Sequence, residues 1–575
     1  MSYNNKPYQS RIKRENKSFQ IPNLGLVITP SPLKSEVNLT HISSIPDLNI
    51  SRFSELYQKN RSNPFSNLFK SNKIKTLDNY VIINTKDNLV ETIQKVQQEN
   101  PGKKILIIDK SQSLISIKLE EQKKTILPIY DLRDSSSFES FNSVLQSLYK
   151  RQYIEHPDVY TTIINDRPKT DDTKLIEIAK TIMKEVSSSG DEAVKKYTEE
   201  FDKVKLDKLA VSENEILEAE KQVEQKLKNA ILLAKENIEK FHVAQRHDFP
   251  KIETSEGVIC WQKAVAIEKV GLYIPSGTAP LFSTVLMLAI PAQIAGCKEI
   301  VLCSPPNHEG KIHPAVLYAA QICGVTKIYK IGGIQAISAM AYGTESIPKV
   351  YKIFGPGNQY VTTAKQLVSL HDVAIDMPAG PSEVEVLADD TADPVFVAAD
   401  LLSQAEHGVD SQAILITTSE QLAQKVEEQV ALQVKELPRA DLAKKALEQS
   451  KIIIVKDMNE AIEMTNEYAP EHLIISTENY RDIAEKVTNA GSIFLGHLTP
   501  ESAGDYASGT NHTLPTNGYA KMYSGVNLDS FVKKITFQEL TEEGLQNIGE
   551  AIEIMAENEG LSAHKNAISL RMKKK

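Results

Sequence analysis

The residues best suited to chemistry lie in four stretches of the C-terminal third. Asp393-Pro-Val-Phe-Val-Ala-Ala-Asp-Leu-Leu-Ser-Gln-Ala-Glu-His-Gly408 reads as one helix, with Asp393 as its cap, Pro394 at its first position and Gly408 at its exit. Gln404 and His407 are three apart and share a face of it. An imidazole beside an amide oxygen can bind a divalent metal. A capped helix end with a surface histidine, favoured by the helix dipole, accounts for the same residues. Glu471 and His472 precede the apolar run Leu473-Ile-Ile-Ser476. Two titratable groups at a strand entrance suit general acid–base work. In an extended chain they would point to opposite sides and serve different proton transfers. A solvent-exposed polar turn is the competing reading.

Ser502-Ala-Gly-Asp-Tyr-Ala-Ser-Gly-Thr-Asn-His512 reads as a dense loop of small and polar residues. Asp505 could ligate a metal there and His512 could touch a substrate; a turn-rich surface loop is the alternative. Glu559-Gly-Leu-Ser-Ala-His564 follows a helix that Gly560 would stop, and a tail histidine is ordinarily just solvated. His, Asp and Gln without Cys suit an open metal site completed by substrate better than a closed structural one.

Several strands run into glycine- and proline-rich turns: Gly271-Leu-Tyr-Ile-Pro-Ser-Gly277, Ile331-Gly-Gly-Ile-Gln335 and Gly355-Pro-Gly-Asn-Gln359. Glycine lets a backbone approach phosphate or ribose closely. No intact G-x-G-x-x-G and no Walker A lysine is present, because Tyr360 stands where the third glycine would be. Tight turns and a nucleotide site are both compatible with these runs.

The scaffold that must position these groups is legible as alternation. Short β-branched runs at 299–303, 327–331, 351–354, 384–388, 413–417, 451–455, 473–476 and 492–495 alternate with helical patterns. This predicts a largely parallel sheet covered by helices. A helix is expected over 173–186, ended by Ser-Ser-Ser-Gly190. A capping box at Ser212 and Glu215 opens another that runs towards Phe241. The apolar stretch 281–296 is too short and too interrupted to span a bilayer and reads as a buried helix; no membrane span is expected.

The chain has 575 residues, enough for several domains, and a net charge of -9, which argues against general nucleic-acid binding. Its four cysteines form no C-x-x-C pair and fit a reduced, cytoplasmic compartment. Cys303, in an apolar strand, reads as a structural thiol. Residues 1–75 carry 12 Lys and Arg against 4 Asp and Glu, with a single glycine. They read as a disordered basic extension, with organellar targeting as the alternative. Residues 76–126 hold a small α/β pattern: strands at 80–83 and 105–108 and a helix at 88–98.

From about residue 130 to the end, the chain resembles the histidinol dehydrogenase family. The resemblance rests on Gly271–Pro280, Gly355–Lys365, Pro378–Glu383, Leu401–Gly408, Ala469–Leu473, Pro500–His512 and Glu559–Asn566, in that order. It implies zinc held by Gln404, His407, Asp505 and His564, and Glu471 with His472 as the acid–base pair. It implies substrate contacts from Ser382, His512 and Glu559 along with the ligand residues and His472. Tyr273, Gln335 and Asn358 would contact NAD. The implied reaction is a four-electron oxidation of L-histidinol, through its aldehyde, to L-histidine. The implied fold is α/β, with two central incomplete Rossmann-like domains, small helical terminal segments and the extension in front. Within a core over 127–575, residues 273–383 would contact NAD, 384–535 would hold the metal and acid–base groups, and 536–575 would dimerise. The family is a homodimer in which the tail of one subunit completes the site of the other. Two rivals stay open: a relative acting on another amino alcohol, and a scaffold protein built on a dead dehydrogenase fold.

Overall fold

Runs of β-branched residues with no polar alternation become strands buried on both faces, as parallel sheets require. The computed structural model describes Arg167 and residues 172–276, 280–370 and 372–573, with the backbone of short strands before residue 132. The chain divides into two units. The first takes Met1–Pro168 and Ser382–Leu498, and the second Lys169–Pro381 and Thr499–Lys575.

The second unit holds a five-stranded parallel sheet of β1 (Lys269–Tyr273), β2 (Glu299–Cys303), β3 (Lys327–Tyr329), β4 (Lys352–Phe354) and β5 (Ala374–Ile375). Its spatial order is β3-β2-β1-β4-β5. The chain winds outwards from β1 on one side, then returns to place β4 on the other. Side-chain alternation splits the core. Val270, Leu272, Ile300 and Leu302 pack with helices Phe282–Ala295 and Pro314–Ile322. Tyr273, Val301 and Cys303 pack with helices Asp172–Asp202, Gly333–Tyr342 and Gln359–Ser369. Each fully buried Val, Leu or Ile contributes about 1.5–3 kcal/mol. A separate antiparallel sheet of Ile252–Ser255, Val258–Ala266 and Val532–Leu540 precedes the C-terminal helices Glu542–Asn558 and Ser562–Met572.

The first unit repeats the winding. Its strands β6 (Glu383–Ala388), β7 (Gln412–Thr417), β8 (Lys451–Ile454), β9 (His472–Ser476) and β10 (Ser492–Leu495) lie in the order β10-β9-β6-β7-β8. The strand Ile129–Asp131 adds itself in parallel beside β8. The fold is α/β, as expected, and the strands fall within a residue or two of their predicted positions. The Glu299–Cys303 strand buries Cys303 completely, and burial pushes its thiol far above its ordinary value, so it is a structural thiol.

Several local expectations change. Gly190 (φ 52°, outside the helical region) ends the first helix as expected, but a second helix follows directly across the kink and runs to Asp202. The capping box at Ser212 and Glu215 forms, but its helix stops at Gln222 because Val223 is extended, and a new helix covers Gln225–Val243. Helix Pro394–Ala405 is capped by Asp393 and ends at a right-handed Glu406, before Gly408. The dense loop beginning at Ser502 starts instead as the short helix Glu501–Tyr506. Residues 499–535, expected with the acid–base segment, fall in the second unit. Ahead of the core, Lys75–Leu77, Tyr80–Ile82, Lys104–Ile108 and Leu114–Lys118 form a four-stranded sheet. The helix expected at 88–98 lies outside the described residues, as does nearly all of 1–75.

Candidate active site

Helix Met458–Tyr468 ends on Ala469, a non-glycine residue in the left-handed region (φ 53°) whose N–H donates to Thr465 O. This turn delivers Pro470 and Glu471 to the start of β9, where His472 pairs with Val384 of β6. Glu471 and His472 are both buried, which removes the exposed-turn reading. Nor do they diverge as an extended dipeptide would, since Glu471 precedes the strand. Both converge on the backbone of Glu383: its N–H donates to Glu471 Oε2 at 2.9 Å, and its carbonyl lies 3.2 Å from His472 Nδ1. Glu471 Oε2 and His472 Nδ1 are 3.7 Å apart. A carbonyl can only accept, so this hydrogen bond puts the proton on Nδ1 and leaves Nε2 the lone pair that a base needs.

Topology brings more groups to this edge. Because β6 and β7 are parallel, helix Pro394–Ala405 between them runs back, and its last turn reaches the edge where the strands begin. Gln404 and His407 therefore lie at the edge that carries Ser382, Glu471 and His472. Gln404 is fully buried, and neither its Oε1 nor its Nε2 has a hydrogen-bond partner among the described residues. A buried amide without partners calls for an explanation, and a metal bound through its oxygen supplies one. His407 is exposed.

In the second unit, Glu501 and Asp505 share the short helix, with carboxylate oxygens within 4.8 Å of each other. Sequence reasoning missed Glu501. The i, i+4 spacing to Asp505 was the available signal, and reading the stretch as a loop hid it. His512 Nδ1 lies 3.0 Å from Asp505 O and its Nε2 3.0 Å from Thr284 Oγ1, which ties the segment to helix Phe282–Ala295. Glu559 and His564 are exposed at the hinge and start of the C-terminal helices, where Gly560 makes the turn (φ 74°).

The glycine turns meet at the carboxyl ends of β1 and β4, where the strand order reverses and open α/β sheets bind ligands. Gly355 (φ 126°) admits no side chain, since a Cβ would stand 2.1 Å from Tyr273 O. Asp376 accepts from Gly355 N–H at 2.8 Å, and Lys365 Nζ donates to Gly355 O at 2.7 Å and pairs with Asp376 at 2.5 Å. Asn358 caps the next helix through Tyr360 N and Val361 N. Tyr273 is buried, its hydroxyl accepts from Gly333 N–H at 3.2 Å, and burial pushes its pKa up to about 12. Gln335 is buried with no partner for Oε1 among the described residues. The close-approach turn, the switch point and this spare acceptor fit a dinucleotide.

A family model, "Histidinol dehydrogenase", matches residues 165–572. The chain belongs to the histidinol dehydrogenase family. A family member from Bacteroides thetaiotaomicron is 68% identical over 406 residues, covering 71% of this chain and 95% of that protein. A plant protein from Arabidopsis thaliana, "Histidinol dehydrogenase, chloroplastic", is 53% identical and covers 71% of this chain and 88% of its own length. The crystal structure of histidinol dehydrogenase from Elizabethkingia anophelis superposes with a TM-score of 0.72 at 52% identity, covering 78% of this chain and 98% of that one. The family match begins at residue 165, later than the resemblance near 130 suggested. The residues expected at the site divide between the units: Ser382, Gln404, His407, Glu471 and His472 in the first, and Tyr273, Gln335, Asn358, Asp505, His512, Glu559 and His564 in the second. No described helix is long and apolar enough to cross a membrane.

Proposed function

We propose that this chain oxidises L-histidinol with NAD in two steps, through L-histidinal to L-histidine, the closing steps of histidine biosynthesis. The observation that carries this reading is the convergence of buried Glu471 and His472 on the backbone of one residue, Glu383, in a chain 68% identical to a named histidinol dehydrogenase.

Gln404, His407, Asp505 and His564 would hold zinc, and Tyr273, Gln335 and Asn358 would contact NAD. When bound, NAD would supply the hydride acceptor for each half-reaction, and zinc would supply a redox-inert Lewis-acid site suited to nitrogen donors such as those of histidinol. The chain's own residues manage the protons and the water. His472 Nε2 takes the hydroxyl proton of the alcohol as its carbon is oxidised to the aldehyde. Glu471 then draws a proton from the water that adds to the aldehyde. As that water adds, His472 returns its first proton to the former carbonyl oxygen, and it accepts a proton again as the hydrate becomes the carboxylate. Ser382, His512 and Glu559 would complete the substrate contacts.

The chain would act as a homodimer, with His564 and Glu559 completing the site of the other subunit. Both are exposed in the single chain, and the helices that carry them leave Ile554, Met555 and Leu570 exposed, as at an interface. Four free cysteines favour the cytoplasm as its compartment.

The decisive experiment counts NADH per L-histidinol, with and without a chelator. Two NADH, lost on chelation and restored by zinc, is the expected result. One NADH with released aldehyde would overturn the second half-reaction. In parallel, Glu471→Gln should slow aldehyde oxidation more than alcohol oxidation, whereas equal losses would remove its role towards water.

A further inference from the structure

Arg167 lies far outside every motif that suggested the site, yet it touches both elements that frame the acid–base pair. Its Nε donates to Glu383 Oε1 at 2.5 Å and its Nη2 to Glu383 Oε2 at 3.2 Å, a two-pronged grip on the carboxylate. The same Nη2 donates to Tyr468 O at 2.6 Å, and the guanidinium stacks 3.8 Å from the centre of the Tyr468 ring. Glu383 is the first residue of β6 and Tyr468 the last of helix Met458–Tyr468. Between that helix and β9 run Ala469, Pro470 and Glu471.

We propose that Arg167 is a positioning residue: it clamps the start of β6 to the end of helix Met458–Tyr468, and the backbone N–H and carbonyl of Glu383 thereby aim Glu471 and His472. Glu383 divides its labour, with its side chain held by Arg167 and its peptide N–H and carbonyl meeting the acid–base pair. The clamp needs an arginine. A planar fork reaches two carboxylate oxygens, a carbonyl and an aromatic face together, whereas an ammonium is a point donor. Burial works against the charge, but the adjacent Glu383 carboxylate outweighs it and raises the Arg167 pKa, so the clamp stays charged. Left-handed Ala469 adds a second constraint, because its conformation persists only where its surroundings hold it.

This inference rests on reading Glu471 and His472 as the acid–base pair. The test compares Arg167→Lys, Arg167→Ala and Glu383→Gln with the parent and with His472→Asn, each checked for folding by thermal melting. The expected result for Arg167→Lys is kcat lower by about 10- to 100-fold, with the KM for histidinol and for NAD near the parent's, since a displacement near 1 Å costs on this scale. Glu383→Gln should show the same split. Ethylguanidinium added to Arg167→Ala should restore part of kcat, which a general loss of stability would not allow. Melting lowered while kcat stays at the parent value, or a change in KM alone, would overturn the clamp. A dead His472→Asn beside an unimpaired Arg167→Lys would remove the clamp and leave the base in place. A fully active His472→Asn would remove the acid–base reading itself.

Discussion

Glu383 and Glu385 stand two apart on one face of the same strand, yet their surroundings separate them. Glu383 faces Arg167. Glu385 is fully buried, accepts from Thr465 Oγ1 at 2.5 Å, and has no partner for Oε2 among the described residues. Burial pushes its pKa up to about 8 from an ordinary 4.5. Folding therefore binds a proton here between those values. The native state keeps the proton and the unfolded chain loses it, so stability is full below about 4.5 and falls as pH rises towards about 8. Glu385→Gln retains an acceptor for Thr465 and removes the titration. Its advantage in Tm over the parent should widen steadily from pH 5 to pH 8, about the range of the shift. A constant difference would show that Glu385 does not titrate there.

Among the elements, the turn after β4 is the clearest case of a device built from distant chain. Gly355 supplies the conformation, but Asp376 at the end of β5 and Lys365 within helix Gln359–Ser369 hold its N–H and C=O. Both side chains are almost completely buried. Lys365→Met leaves the buried Asp376 carboxylate without its paired ammonium, at a cost of about 3–5 kcal/mol. Denaturant unfolding should register that loss. Enzyme that remains folded should show a raised KM for NAD with the KM for histidinol little changed. A rise in both would place the pair's influence beyond the cofactor turn.

At the scale of the whole molecule, two windings of one topology carry different ends of the chemistry. The second unit presents glycine turns at the carboxyl edge of its sheet, whereas the first presents Glu471 and His472 at the amino edge of its own. The first unit also takes a strand, Ile129–Asp131, from ahead of the family match and lays it against β8. A chain starting at residue 127 should keep full NADH yield and its solubility. One starting at residue 132 exposes Lys451-Ile-Ile-Ile454 as a sheet edge, and should aggregate on heating at a lower temperature by light scattering. Equal behaviour of the two would make that strand dispensable. The proposed sharing of the site between subunits makes a separate prediction: mixed Gln404→Ala and His564→Ala subunits should regain activity in heterodimers, since one site per dimer is then intact. No recovery in confirmed heterodimers would rule out sharing.

The sequence by itself determined what is local or periodic. Apolar runs of four or five residues between helical patterns imposed a parallel α/β fold, because only strands covered on both faces bury such runs. Asp393-Pro394 set a helix start. The order of the long motifs was enough to show the family. Tertiary structure decided what depends on contacts between distant residues. It buried Glu471 and His472 where a polar turn was equally legible, because a neighbouring strand supplied the peptide of Glu383. It turned part of a small-residue loop into a helix that sets Glu501 beside Asp505. It brought Arg167 to Glu383 across 216 positions, a pairing that no periodicity or spacing encodes, because chain separation says nothing about which distant charges meet once a sheet has formed.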